Sequence, residues 1–349
     1  MILDKLKNKY GNLKILMTSS DSTGCSLLRV EYPYKFLKES FNHIEMNQGY
    51  PVNDPRTVEC DILSLQRPNH DHFLTFLPYR KSLGKFNIID MDDMLWDIPA
   101  SNWAHRHYPP KELKRVDSVL KLADCFTCST KPLADFLESR FQKKAFIIPN
   151  HVWADELSEN VGIKKKNEKI KIGWAGSYTH NGDFDHYLVD VLRNLPYDKV
   201  EFYSMGFMPQ FFKPFAKEIP WVKTEDFHKT FAEQNWDIGI MVAKDNLFNK
   251  VKSNLKYLEY GSVKCAAIGH AVYPYVNCIE DGVDGLLVYK EKTDWKKHIY
   301  RLIEDEDYRL MLANNAYNKV NKEYTFEGDY QRLEDKYIEI IDYLMENCK

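Results

Sequence analysis

The residues best able to do chemistry cluster in four short segments. The richest is FNKVKSNLKYLEYGSVKCAAIGHAVYPY (248–275), whose pattern predicts a loop, a helix from about 253 to 262 and then a strand. At 100° per residue, Lys252, Lys256 and Glu259 fall within about 60° of one another on that helix. Two cations and a carboxylate then share a face, with Lys252 beside a helix N-terminus that offers free N–H groups and a positive dipole. The combination suits a diphosphate at the helix start and a pair of ribose hydroxyls at the carboxylate. The same spacing also describes an exposed face of i,i+4 ion pairs.

A second segment, GWAGSYTHNGD (173–183), reads as a strand ending in a glycine turn that carries Ser177, His180 and Asp183. Small residues there let backbone amides approach a phosphate or a sugar, although a structural turn uses glycine equally well. It matches neither GxGxxG nor a P-loop. The third, TSSDSTGCSLLRV (18–30), places Thr23 and Gly24 in a polar turn after a strand and Arg29 on the helix behind it, a usual ligand position in an α/β domain. The fourth, IIDMDDMLWDIP (88–99), gathers Asp90, Asp92 and Asp93 ahead of Trp96. Those carboxylates suit capping of the next helix, a wall facing an acceptor, or a divalent cation. His105 and His107 follow in NWAHRHYPPK, which reads as a mobile acceptor lid or plain surface.

Parallel sheets would position these turns. Short apolar runs at 13–19, 60–66, 85–91, 124–130 and 145–150 alternate with amphipathic stretches such as 26–40 and 113–123. The polar stretch 158–169 reads as a linker with a solvated lysine cluster. The strand pattern then resumes at 170–177, 199–206, 236–243, 264–270 and 284–290, and helices are expected at 294–305, 306–323 and 326–346. The chain is therefore expected to be α/β, with two doubly wound domains in tandem and a helical tail.

Composition agrees with this reading. The chain has 349 residues, 44% hydrophobic and 28% charged, with a formal net charge of −3. That excludes disorder and a protein dominated by nucleic-acid electrostatics, while a local basic groove stays open. No apolar run is long enough to span a bilayer and the N-terminus lacks a signal-peptide core, so a cytoplasmic location is expected. Seven scattered cysteines read as reduced thiols, with the Cys125–Cys128 pair inside a strand rather than in a metal or redox site.

In order along the chain, TGCSLLRV, DMDDMLWDIP, ADCFTCSTKPLADFL, IIPNHV, IGWAGSYTHNGD, the 248–275 segment and IEDGVDGLLV resemble the GT-B glycosyltransferases, near the retaining group known as family 4 or group 1. The resemblance covers nearly the whole chain. It implies an acceptor domain (1–155), a linker (156–169), a donor domain (170–325) and a C-terminal helix (326–349) packing back on the first domain. It implies a nucleoside-diphosphate-sugar donor, a UDP-sugar first, and transfer to an acceptor hydroxyl without a required metal. By position, Glu259 matches the glutamate that holds the donor ribose. Lys252 and Ser253 match the diphosphate region, and Gly176 and Ser177 match the first turn of the donor domain, with His180, Lys256 and Tyr257 grouped with them. Thr23, Gly24, Arg29, Asp92, Asp93 and Trp96 fall on the acceptor side, and Asn150 sits where such chains cross between domains. Lys252 would stabilise the leaving diphosphate, and Asp93 would serve as base if the transfer inverts.

Two departures stand out. The family's paired glutamates are eight positions apart, and the first falls at Val251. Lys264–Cys265–Ala266 replaces a glycine-proline turn. For the acceptor, a glycan or envelope component comes first. The second reading is a hydroxymethylated base in DNA, because small lysine- and asparagine-rich glycosyltransferases occur in bacteriophages. Arg67, Arg80, Lys81, Lys85, Trp103, Arg106 and Lys111 would supply its basic surface. A third reading is a binding module that kept the fold and lost the chemistry.

Overall fold

The computed structural model describes residues 3–50, 53–154 and 165–348. It contains two six-stranded sheets, parallel throughout. The first comprises β1 (Lys14–Ser19), β2 (His43–Gln48), β3 (Ile62–Gln66), β4 (Phe86–Met91), β5 (Cys125–Cys128) and β6 (Ala145–Ile147), in the order β2-β1-β3-β4-β5-β6. The second comprises β7 (Ile170–Gly176), β8 (Val200–Gly206), β9 (Lys217–Pro220), β10 (Ile238–Met241), β11 (Ala266–His270) and β12 (Leu286–Val288), in the order β12-β11-β10-β7-β8-β9. The α/β architecture implied by the sequence is present. Most of the linker 156–169 lies outside the described residues.

Central strands such as β4 and β10 are buried at every position. Helices cover both faces, as parallel sheets require. Edge strands β2 and β9 were not expected, because HIEMNQ and KEIP carry too few apolar residues to read as strands; both lie half in solvent. The helix Tyr330–Asn347 lies against the first sheet, where Leu333, Ile340, Ile341 and Leu344 join Leu6, Phe36 and Phe146 in one core. Phe326 locks the return: it stacks on Trp153 at 4.6 Å and packs against Phe36 at 5.1 Å.

In each sheet the chain runs out to one edge and then returns to the other side of its first strand. The strand order therefore reverses between β1 and β3 and between β7 and β10. Ligands of such sheets bind outside the carboxyl ends of the strands at that reversal. The loops there hold Asp21 and Arg67 in the first domain, and His180, Asp183 and Lys252 in the second.

Arg29 does not face an acceptor. It is buried, and its guanidinium donates to both Asp90 oxygens (3.1 and 2.7 Å), the Ile148 carbonyl (2.6 Å) and Asn150 Oδ1 (3.0 Å). Asp90 also accepts from Thr127 at 2.7 Å. This strut ties the helical segment after β1 to β4, β5 and the stretch Ile148–Asn150 after β6, and engages the arginine's guanidinium inside the protein. Arg29→Met leaves Asp90 buried without its cation, so unfolding free energy should fall by about 3–5 kcal/mol in urea titration. A loss under about 1 kcal/mol, with a weakened acceptor KM instead, would return Arg29 to the acceptor site.

Candidate functional site

The second domain reaches the cleft through the loop after β10. Asn246 caps the short helix Leu247–Lys250, accepting from Asn249 N at 2.8 Å. Two of that segment's side chains, Phe248 and Val251, are buried in the core of the first domain beside Met94, Leu95 and Leu133. Thr130 of the first domain donates its hydroxyl to the Val251 carbonyl at 2.6 Å, and Asn150 Nδ2 donates to Ser253 Oγ at 2.9 Å. Val251, where the resemblance places a glutamate, is thus an apolar anchor between domains.

Lys252 follows immediately. It precedes the helix Leu255–Ser262, which begins later than the sequence pattern suggests. Its ammonium lies 4.4 Å over the Phe248 ring, and its charge acts on Asp93 of the first domain and on His180, Asp183 and Lys256 of the second. Lys252 therefore carries its charge toward His180 and Lys256 in its own domain and toward Asp93 in the other.

Each of these groups is shifted. Burial lowers Lys256, against the pull of Glu259. Burial raises Glu259 to about 7, opposed by Lys256. Burial and then the Lys252 charge bring His180 down to about 4, although its Nδ1 meets Asp183 Oδ2 at 2.9 Å. Burial raises Asp93, and Lys252 opposes the rise. Perturbed groups gathered in a cleft are a functional signature.

Asp183 holds the turn in place. It accepts from Asn249 Nδ2 at 2.8 Å and from Lys244 N at 3.3 Å, which joins the turn after β7 to the loop after β10. Ser177 sits in that turn, hydrogen-bonded to Thr179 at 2.6 Å. A Cβ on Gly176 would come within 2.6 Å of the Trp174 indole, so packing alone requires glycine there. Lys256 hydrogen-bonds the Ala175 carbonyl from the next helix.

Several sequence-based assignments change. Tyr257 points away from Glu259 and is fully buried between its helix and the rest of the second domain. Trp96 packs on Phe136 and Phe141, lies under Arg140 and donates its indole N–H to Asp117 at 2.8 Å, so its ring belongs to the helical layer of the first domain. Asp92 pairs with Arg67 at 3.1 Å, and Asp21 pairs with the same guanidinium at 2.7 Å. Asp90, Asp92 and Asp93 thus turn to three different partners. Thr23 caps the turn that opens at Gly24 and accepts from Cys25 N at 3.3 Å; around Gly24 the space is open. Of the basic surface weighed for DNA, Arg80 is fully buried, and Lys81 and Lys85 pair with Asp124 and Asp61.

The sequence reading placed Arg67 only in the basic surface weighed for DNA. It takes φ 44°, a left-handed conformation that costs a non-glycine residue of order 1 kcal/mol. Its N–H bonds Asp90 O at 2.9 Å, and Tyr50 caps its carbonyl at 2.7 Å. Strain held by such contacts aims the guanidinium between Asp21 and Asp92. No sequence signal marks a left-handed arginine.

Among the described residues, Asp185, His270 and Glu291 lie close enough to hold a cation. Hydrogen bonds already account for the imidazole, since Nδ1 accepts from Ala243 N at 3.1 Å and Nε2 donates to Asp185 at 3.1 Å. Asp185 also accepts from Trp295 at 2.8 Å and caps the helix His186–Arg193.

Comparison with known proteins agrees with this architecture. Residues 186–335 match the model of a glycosyl transferase-like family. No curated protein matches the sequence. Among solved structures, HepE from Anabaena in complex with UDP and glucose superposes with a TM-score of 0.65 at 13% identity, over 94% of this chain and 100% of that one. A sucrose-phosphate synthase from Thermosynechococcus elongatus gives 0.68 at 12% identity, over 94% and 99%. An alpha-glucosyltransferase in complex with UDP-glucose and DNA containing an abasic site gives 0.64 at 10% identity, over 93% and 99%. The chain has the GT-B glycosyltransferase fold.

Glu259 makes stability depend on pH. Its folded value near 7 exceeds the ordinary 4.5, so the folded state holds the proton more tightly. The associated stabilisation is present below about pH 4.5 and is lost as pH rises toward about 7, to a total of about 3 kcal/mol. Glu259→Gln should flatten that part of a pH–stability profile measured by urea unfolding. A profile of unchanged slope would show that Glu259 is not the group responsible.

Proposed function

We propose that the chain is a glycosyltransferase that moves a sugar from a nucleoside-diphosphate-sugar, a UDP-sugar first, to an acceptor hydroxyl on a glycan or envelope component. One observation carries the reading: Lys252 and Lys256 act on His180, and Lys256 on Glu259, beyond the second sheet's central strands where its order reverses. The start of the helix Leu255–Ser262 has no side-chain cap and stays open to a ligand. HepE and the alpha-glucosyltransferase hold UDP or UDP-glucose on the same fold, which supports the donor class.

In this reading the diphosphate lies at that helix start beside Lys252. Negative charge grows on it as the glycosidic bond breaks through an oxocarbenium-like transition state. Lys252, Lys256 and the helix amides oppose that charge from fixed positions. Glu259, when ionised, accepts hydrogen bonds from the ribose hydroxyls. Asp93 faces the same point from the first domain. Its raised affinity for a proton fits a general base if the transfer inverts, and retention needs no protein base. Divalent metal is not required, because lysines and helix amides supply the positive charge. Domain contact through Phe248 and Val251 holds the two walls of the cleft together, which in this reading would limit water at the donor.

A second acceptor has one observation in its favour. Trp103 is 44% exposed, with Arg106 5.5 Å over its ring, in a turn that touches Tyr178–Asp183 of the second domain. That pair could stack an unpaired base of DNA carrying hydroxymethylated pyrimidines. Incubation with UDP-glucose and either hydroxymethylcytosine DNA or glycan acceptors, followed by mass measurement of products, decides between them. A hexose added to the glycan alone is the expected result; a hexose added to DNA alone overturns the acceptor assignment. Lys252→Ala should lower kcat by about 10²–10³-fold with the fold intact, and unchanged turnover would remove Lys252 from the leaving-group role.

A further inference from the structure

The turn Tyr178–Asp183 carries a histidine with one ring nitrogen engaged inside the protein and the other left over. We propose that, given the donor reading above, His180 positions the transferred sugar by accepting a hydrogen bond from one of its hydroxyls at Nε2.

Geometry fixes what each nitrogen can do. His180 Nδ1 lies 2.9 Å from Asp183 Oδ2. The other oxygen of that buried carboxylate accepts from Asn249 Nδ2 at 2.8 Å and from Lys244 N at 3.3 Å. Asp183 is thus an acceptor on both oxygens, and Nδ1 carries the proton that joins the ring to it. Nε2 has no hydrogen-bond partner among the described residues, and the side chain keeps 20% of its surface exposed. Burial, then the Lys252 charge, bring the imidazole down to about 4, and Lys256 adds to the effect. At neutral pH the left-over nitrogen is therefore a bare lone pair, an acceptor and not a donor.

Position selects the group it accepts from. The turn follows β7 at its carboxyl end and packs against the turn Trp103–His107 of the first domain. A Cβ on Gly182 would come within 3.2 Å of Ser101 Oγ. His180 thus belongs to the part of the second domain that borders the first, and a sugar handed from donor to acceptor crosses that border. The phosphates of the donor are acceptors themselves, so a bare lone pair repels them, and the lysines suit them instead. Ribose hydroxyls go to Glu259 in this reading. The base lies beyond the ribose, away from the two lysines whose charge reaches His180. Hydroxyls of the transferred sugar are the donors that remain.

The test compares UDP with a UDP-hexose on the full chain, by isothermal titration at neutral pH. UDP-glucose, UDP-galactose and UDP-N-acetylglucosamine are titrated first, and the one that wild type binds most tightly is carried on. His180→Asn keeps an amide donor near the place of Nδ1 and removes Nε2. It should weaken the UDP-hexose by about five- to tenfold and leave UDP within about twofold. His180→Gln, whose amide oxygen reaches the place of Nε2, should recover most of that loss. Equal weakening of UDP and UDP-hexose by His180→Asn overturns the proposal, because the ring would then serve the phosphates or the shape of the turn. Unchanged UDP-hexose affinity in His180→Asn overturns it too, as does a His180→Gln variant no better than His180→Asn. Wild type that binds UDP but none of the three hexoses also overturns it. Failure of the donor reading itself would appear separately, as wild type that binds neither UDP nor any UDP-hexose.

Discussion

The arrangement depends on one contact: Phe248 and Val251 of the second domain seated in the core of the first. Both are almost fully buried, and the Val251 carbonyl is held by Thr130. Burying two such side chains is worth about 1.5–3 kcal/mol each, enough to bias two domains toward each other though not to fuse them. Lys252 and Ser253 follow the anchor directly, so their distance from Asp93 and Asn150 is fixed by apolar packing rather than by their own charges. A lysine placed this way needs no ion pair to hold it, and its charge stays free to act on a ligand.

The electrostatics follow from that placement. In the first domain, carboxylates are matched inside the protein: Asp90 by Arg29, and Asp21 and Asp92 by Arg67. Asp93 is left with a backbone amide and the field of Lys252. In the second domain, half-buried Lys256 and buried Glu259 act on each other, and each is pushed toward its neutral form by loss of water. A ligand bringing phosphate to the lysine and hydroxyls to the carboxylate would restore what burial removed.

Sequence pattern reached far because central parallel strands are continuous apolar runs; β1, β3, β4, β7, β8, β10 and β11 all lie inside the segments they suggest. The polar edge strands escaped because they bury little. The helix Phe73–Ser82 escaped because Pro78 interrupts its pattern. At the site, residue type was legible and direction was not. Arg29, Trp96 and Tyr257 are the right chemistry on the wrong side of their backbones. Arg67 was weighed only as surface charge, yet a left-handed backbone brings it into the site. Lys264 makes the same point in another place: it takes φ 54°, where glycine is favoured, which explains why the replaced turn usually carries one.

Val251 also constrains the chemistry. A carboxylate at this position could not stay where Val251 stands, because the site is apolar and its carbonyl is already engaged. Burying an ionised group there without a partner would cost several kcal/mol, so a glutamate would have to turn into the cleft and give up the anchor. Sugar recognition by a carboxylate and apolar docking of the two domains are thus alternative uses of one residue, and this chain has the second. In the proposed reaction, polar contacts to the transferred sugar would come from groups around Lys252. Asp93 from the first domain and the turn Ser177–Asp183 from the second are the elements placed to make them. In the proposed reading, domain docking and donor recognition are linked, because Lys252 follows directly on the Phe248 and Val251 anchor.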